Sequence, residues 1–312
     1  MNDDDKPQNI SIERLNATHF CSFRKLPLLR VVQKAFIDSD STYIYALQYH
    51  KRSSNCVLSK CKISNGLAIH ESHMLLKNFG HTETLEMYRY DGSEYFWIGC
   101  NANHAKAHRF PWSVDVGRIE YVPNTTIESD SVFRLAGLVN ADETGSSFGR
   151  IRRVESALTT DNKRVLFWIQ NTSGQIRYSM YDFMQINDAL SGISGEKPYI
   201  ECNVEEIKKA WLYTREEKGK RRFRPNNSLQ GIEISDGTTY TDHLIYVSGG
   251  AKGDIPMIGR MNLDGESRIF RTPDHPRIRK HEIEGIQLKG DDLYFVVNTF
   301  HDDIYRVKIS DF

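Results

Sequence analysis

The chain has 312 residues, of which 39% are hydrophobic, 11% aromatic and 26% charged. Those proportions suit a soluble globular protein, and no apolar run is long enough to span a bilayer as a helix. Basic and acidic residues balance at a formal net charge of zero. Bulk electrostatics therefore favours neither nucleic acid nor membrane as a partner.

The first fifteen residues, MNDDDKPQNISIERL, are polar and acidic and lack the basic-then-apolar order of a signal peptide. Residues 1–8 are expected to be disordered. A first unit then begins with VVQKAF (31–36), an acidic turn DSDS (38–41) and an apolar aromatic run, TYIYALQ, from Thr42. Two alternating segments follow, NCVLSKCKI (55–63) and LAIHESHML (67–75), each reading as a strand with one buried face.

The same order returns four times. HTETLE (81–86) leads through DGSE to EYFWIG, then to 108–121 and VFRLAGL (132–138). RVESAL (153–158) leads through TDNK to RVLFWI, GQIRYSMYDF (174–183) and PYIECN (198–203). SLQGIE (228–233) leads to HLIYVS, PMIGRMNL (256–263) and SRIFRT (267–272). EIEGIQ (282–287) leads through KGDD to DLYFVV and DIYRVKI (303–309), where the chain stops without a fourth segment. Gln33, Glu83, Glu155, Gln230 and Glu284 hold equivalent places in these units, at intervals of roughly 50 to 75 residues, which marks a degenerate array.

The expected fold is all-β, a five-bladed β-propeller forming one domain over 1–312. An unpaired edge on the last blade would expose free backbone groups. The N-terminal segment, NISIERL (9–15) or HFCSF (19–23), is therefore expected to pair there and close the ring. Helix is expected only in an insertion over 183–225, in FMQINDALSG and in EEIKKAWL, the latter capped by Asn203 and Glu206. The five cysteines form no CxxC pair or zinc set and read as small buried hydrophobes.

In a propeller the loops leading into the innermost strands share one face. Here those loops are basic and include His81, Arg152, Arg153, Arg221, Arg222, Arg224, Arg279, Lys280 and His281. The turns leaving the same strands are acidic, so zero net charge is expected to hide one positive and one negative rim. A basic concave face concentrates anionic ligands. If Gln33, Glu83, Glu155, Gln230 and Glu284 face a common axis, three carboxylates converge. Either a cation fills the middle, a proton is shared, or each carboxylate is tied to neighbouring backbone N–H groups. A hard cation such as calcium, held by Glu83, Glu155 and Glu284, is the metal that oxygen ligands suit. Aromatics such as Trp97, Phe167 and Trp168 read as packing between blades. No GxSxG, HExxH, P-loop or GxGxxG motif occurs.

GHTETLE with EYFWIG, RRVESALTTDNKRVLFWIQ with YSMYDF, SLQGIEISDG with LIYVS, and HEIEGIQL with LYFVV resemble the helveticin J family of large bacteriocins. The resemblance runs in order from about Val31 to Ile309. It implies a heat-labile antimicrobial protein, released without an obvious signal peptide and acting on related bacteria; a cytoplasmic location is the alternative. The expected partner is an anionic cell-wall polymer or surface receptor of the target, met by the basic face. Two other readings stay open: a calcium-dependent propeller hydrolase of nucleotidase type, and a non-catalytic interaction scaffold.

Overall fold

A computed structural model describes residues 13–50, 53–104, 110–217, 223–251, 253–279 and 281–312. Among these the chain is all-β apart from two α-helices and a few 3-10 turns. Strands β1 (Arg14–Asn16) and β2 (Thr18–Arg24) precede a first meander of β3 (Val32–Ile37), β4 (Tyr43–His50), β5 (Asn55–Ser64) and β6 (Leu67–Lys77). The second meander is β7 (Leu85–Tyr90), β8 (Ser93–Ala102), β9 (Ser113–Ile119), the short outlier β10 (Thr126–Glu128) and β11 (Phe133–Ala136). The third holds β12 (Ile151–Leu158), β13 (Arg164–Asn171), β14 (Ile176–Asp182), α1 (Phe183–Ser191), β15 (Tyr199–Glu201), α2 (Glu205–Lys209) and β16 (Trp211–Glu217). The fourth is β17 (Gly231–Ile234), β18 (Leu244–Gly249), β19 (Met257–Asn262) and β20 (Ile269–Asp274). The last is β21 (Ile283–Lys289), β22 (Asp292–Val297) and β23 (Asp303–Lys308).

Strand β2 supplies the fourth place of the last meander. It runs antiparallel to β23, with Thr18 opposite Arg306, and parallel to β6, with Ser22 opposite Leu67. First and fifth meanders thus share one sheet. The residues 19–23 thereby cover the edge of β23. Strand β1 pairs with β20 instead, covering the outer edge of the fourth meander.

The third meander departs from expectation. PYIECN was expected as its fourth strand, but β15 runs parallel to β11 and extends the second meander's sheet. The fourth strand is β16, which pairs with β14. The residues 211–217 follow the helical charge pattern of EEIKK without a break in composition, which favours reading the whole stretch as one helix. Helix α2 stops after Lys209, and the aromatic and β-branched residues Trp211, Tyr213 and Thr214 then take the extended form that suits them. The cap also differs: Val204 holds the N-cap of α2, with no side-chain bond. Helix α1 forms where FMQINDALSG was expected to be helical, with Asp182 accepting from the Gln185 amide at its N-cap and Gly192 at its C-cap.

First strands of successive meanders touch in cyclic order: β3 with β7, β7 with β12, β12 with β17, β17 with β21, and β21 with β3. The approach is tightest at Gly285, where an added Cβ would lie 2.6 Å from the Gln33 carbonyl oxygen and 2.8 Å from Lys34 Cα. The apolar core is divided the same way, into clusters each drawn from two meanders consecutive in this cycle. Trp97 packs with Phe167 and Phe183 between the second and third, and Trp168 with Ile245 and Val247 between the third and fourth. Each large apolar side chain so buried contributes roughly 1.5–3 kcal/mol.

Candidate binding cavity

A cavity of about 610 Å³ opens where the chain enters the first strands, and Gln33, His81, Arg153, Gln230 and Glu284 all line it. Local strand irregularity aims some of these side chains. Pairing of β3 with β4 slips between Val32 and Lys34, at Gln33. Pairing of β12 with β13 slips between Ile151 and Arg153, and that of β21 with β22 between Ile283 and Ile286, at Glu284. Bulges of this kind twist a strand and redirect a side chain.

Arg153 organises the cavity floor. Its Nε donates to Glu155 Oε1 at 2.9 Å, Nη2 to Glu83 Oε1 at 3.0 Å and Nη1 to the Leu229 carbonyl at 2.9 Å. The HTETLE segment cradles the other oxygen of Glu155, which accepts from the Glu83 amide and Thr84 Oγ1 at 2.9 Å each. Burial pushes Glu83 well above the usual carboxylate range; Arg153 pulls it back and Glu155 pushes it further up. Its Oε2 is buried without a hydrogen-bond partner. One guanidinium, Arg153, thus faces both Glu155 and Glu83. Burial likewise raises Glu284, helped by Glu83 and Glu282. The crowding of acids is relieved by an internal guanidinium.

These carboxylates do not make a calcium cage. Glu83 and Glu155 are both engaged by Arg153, and among the described residues no group of three or more His, Cys, Asp or Glu converges to hold a metal.

The walls are aromatic. His81 stacks between Tyr49, at 4.9 Å, and Trp112, at 4.2 Å between ring centroids, while its Nε2 bonds Gln33 Oε1. The Arg153 guanidinium lies 3.8 Å from the Trp112 ring. Burial, with Arg153 adding to it, holds the His81 imidazole well below the usual histidine range. It is a neutral wall group. The part Trp112 and Tyr49 play beside His81 is legible only once the meanders are folded; Trp168, expected as packing alone, also lines the cavity.

Arg30, Arg152 and Arg224 bring further positive charge to the cavity, and Glu282 opposes them while accepting from Gln230 Nε2 at 2.6 Å. Two other predicted members stand apart: Arg279 binds Asp274 at 3.0 Å, and His281 bonds the Asn298 carbonyl at 2.8 Å. Arg221, Arg222 and Lys280 lie outside the described residues, as do residues 1–8.

A second cavity, about 800 Å³, opens at the opposite ends of the first strands. Asp38, Asp40 and Asp161 of the acidic turns line it, but so do Lys60, Arg89, Lys163 and Lys289. That rim is mixed in charge rather than negative. Beneath it, fully buried Lys34 binds Glu86 at 2.9 Å, and also Glu233 and the Ile286 carbonyl. Burial alone would lower its ammonium pKa, yet Glu233 and Glu86 outweigh that and raise it.

The family model of bacteriocin helveticin-J matches residues 9–273. The chain belongs to the bacteriocin helveticin-J family. The cavity of this helveticin-J family member draws on the matched segment for Gln33, His81, Arg153 and Gln230, and on residues beyond it for Glu282 and Glu284. No curated protein sequence matches the chain. Similar solved structures are distant. Hydrazine synthase of Kuenenia stuttgartiensis is 12% identical over 87% of this chain and 63% of its own, with a TM-score of 0.39. The chain thus spans less than two thirds of that protein. MPT-1, a GDP-Man-dependent mannosyltransferase from Leishmania mexicana, is 10% identical over 94% of this chain and 88% of its own, at a TM-score of 0.41.

Proposed function

We propose that the five meanders are the blades of a single-domain, five-bladed β-propeller, closed by β2. On this reading the chain is a secreted antimicrobial protein whose arginine-lined cavity captures an anionic polymer of the target bacterium's envelope. The cyclic contacts of the first strands and the division of the core between consecutive meanders support the architecture. Membership of the bacteriocin helveticin-J family supports the antimicrobial role and action outside the producing cell.

The observation that carries the choice of ligand is the lining of the cavity. Arg30, Arg152 and Arg224 line the cavity beside Arg153, whose own guanidinium holds Glu155 and Glu83. Guanidinium forks suit the paired oxygens of phosphate and carboxylate groups. Trp112 and Tyr49 add flat apolar surface, and Gln33, Gln170 and Gln230 add amides that can bond hydroxyl groups. Such a lining fits a phosphate-bearing glycan or polyol chain.

The test is retention on purified walls of a susceptible bacterium, before and after the anionic polymer is stripped from them. Replacing Arg152 and Arg224 together by Ala should cut retention about tenfold or more, and salt should weaken it steeply. Equal retention on stripped walls, or retention indifferent to salt, refutes the electrostatic reading.

A further inference from the structure

We infer that the two loops 25–31 and 298–302 form a docking surface for an anionic lipid bilayer. Leu29 and Phe300 are 103% and 93% exposed, as open as side chains in an extended chain. A lone exposed leucine is ordinary, but two fully protruding apolar tips on neighbouring loops are not. Both line one cleft of about 700 Å³, together with Leu26, Leu28, Lys25 and Arg30.

The loops are held from behind. Gln48, fully buried, donates through Nε2 to the carbonyls of Leu28, at 2.9 Å, and Arg30, at 2.5 Å. Asp302 ties the two loops together, its Oδ2 accepting from the Val32 amide at 3.0 Å while the Phe23 amide donates to its carbonyl at 3.1 Å. That bond turns the carboxylate of the cleft inward and buries it. What faces outward is apolar tips flanked by the exposed cations Lys25 and Arg30.

Charge and shape decide the occupant. Leu29, with Arg30 beside it and Lys25 four residues before it, and Phe300 across the same cleft match the boundary of a bilayer, where acyl chains lie beneath a layer of anionic headgroups. A stable protein interface would instead cover a broad patch of about 800 Å² on each partner, and here the apolar surface stands up as two points. Arg30 and Val31 line both this cleft and the arginine cavity, so docking would bring the cavity mouth against the membrane. The inference does not depend on what that cavity binds.

The test uses the full chain and vesicles of phosphatidylcholine, with or without about one third phosphatidylglycerol. A Phe300→Trp variant should lose its added fluorescence when the acyl chains carry bromine, and only on the anionic vesicles. A Leu29→Ser/Phe300→Ser variant should partition about tenfold or more weakly, with an unchanged melting temperature because neither side chain is packed. Absence of quenching, or equal partitioning by the double variant, overturns the inference. So does a concentration-dependent dimer, seen by sedimentation velocity, that the double variant abolishes, since the occupant would then be a second copy.

Discussion

Arg153 and Glu155 stand two residues apart on β12, and their side chains meet at 2.9 Å inside the fold. Alternation along a strand puts residues i and i+2 on one face, so the pair forms without distorting the backbone beyond the bulge already present. The same guanidinium reaches Glu83 on the neighbouring meander. It is a cross-link between units as well as the floor of the cavity.

Arg153→Met should therefore cost about 3–5 kcal/mol, because it leaves Glu155 buried without its cation. Denaturant unfolding monitored by tryptophan fluorescence measures this. Arg153→Lys should recover part of the loss, since it keeps the charge but not the planar fork that meets Glu155, Glu83 and the Leu229 carbonyl together. A change below about 1 kcal/mol would mean that water replaces the guanidinium freely.

Asp302 makes stability depend on pH. Burial, opposed by the Val32 amide and helped by Asp303, raises its carboxyl from 3.8 to about 7. The native state then keeps a proton that the unfolded chain releases between these values. The contribution is present in full below about pH 4 and is lost as pH rises toward 7, at up to about 1.4 kcal/mol per pH unit. Asp302→Asn, which keeps an acceptor for Val32, should flatten the pH profile of the melting temperature over that interval. An unchanged profile would show that Asp302 is already ionised.

Gly285 tests the close contact of the first strands. A methyl group there meets the Gln33 carbonyl and Lys34, both fixed within the central layer. Gly285→Ala should lower stability by about 1–3 kcal/mol. Gly195→Ala, with nothing within 4 Å of its added carbon, should have little effect. Equal effects would place the strands farther apart than the geometry requires.

The five units were legible because each pairs a segment built around Gln or Glu with an aromatic strand, and those aromatics fill the clusters between meanders, although Glu83 and Gln230 themselves precede β7 and β17. The pairing of β2 with β23 was legible, since 19–23 was one of the two segments expected there. The fate of PYIECN was not, because which sheet a three-residue strand joins depends on a long connection rather than on its own pattern. Cavity membership divided the same way. Gln33, Gln230 and Glu284 line it as their equivalent positions suggest, whereas Glu83 and Glu155 are sealed beneath Arg153. The sequence suggested converging acids; only the fold could show that Arg153, on β12 itself, turns inward to meet them. Tyr49 escaped notice because its nearness to His81 arises between meanders, and Trp112 because an isolated bridge between the segments leading into β7 and β9 brings it to His81.

The most direct measurement is calorimetric titration of poly(glycerol phosphate) into the protein at low and near-physiological salt, with the Arg152→Ala/Arg224→Ala variant alongside. A saturable heat that weakens with salt, and falls about tenfold or more in affinity in a variant that melts like the parent, is the expected result. The same affinity in parent and variant, or no binding by either, would contradict the assignment of that cavity to an anionic envelope polymer.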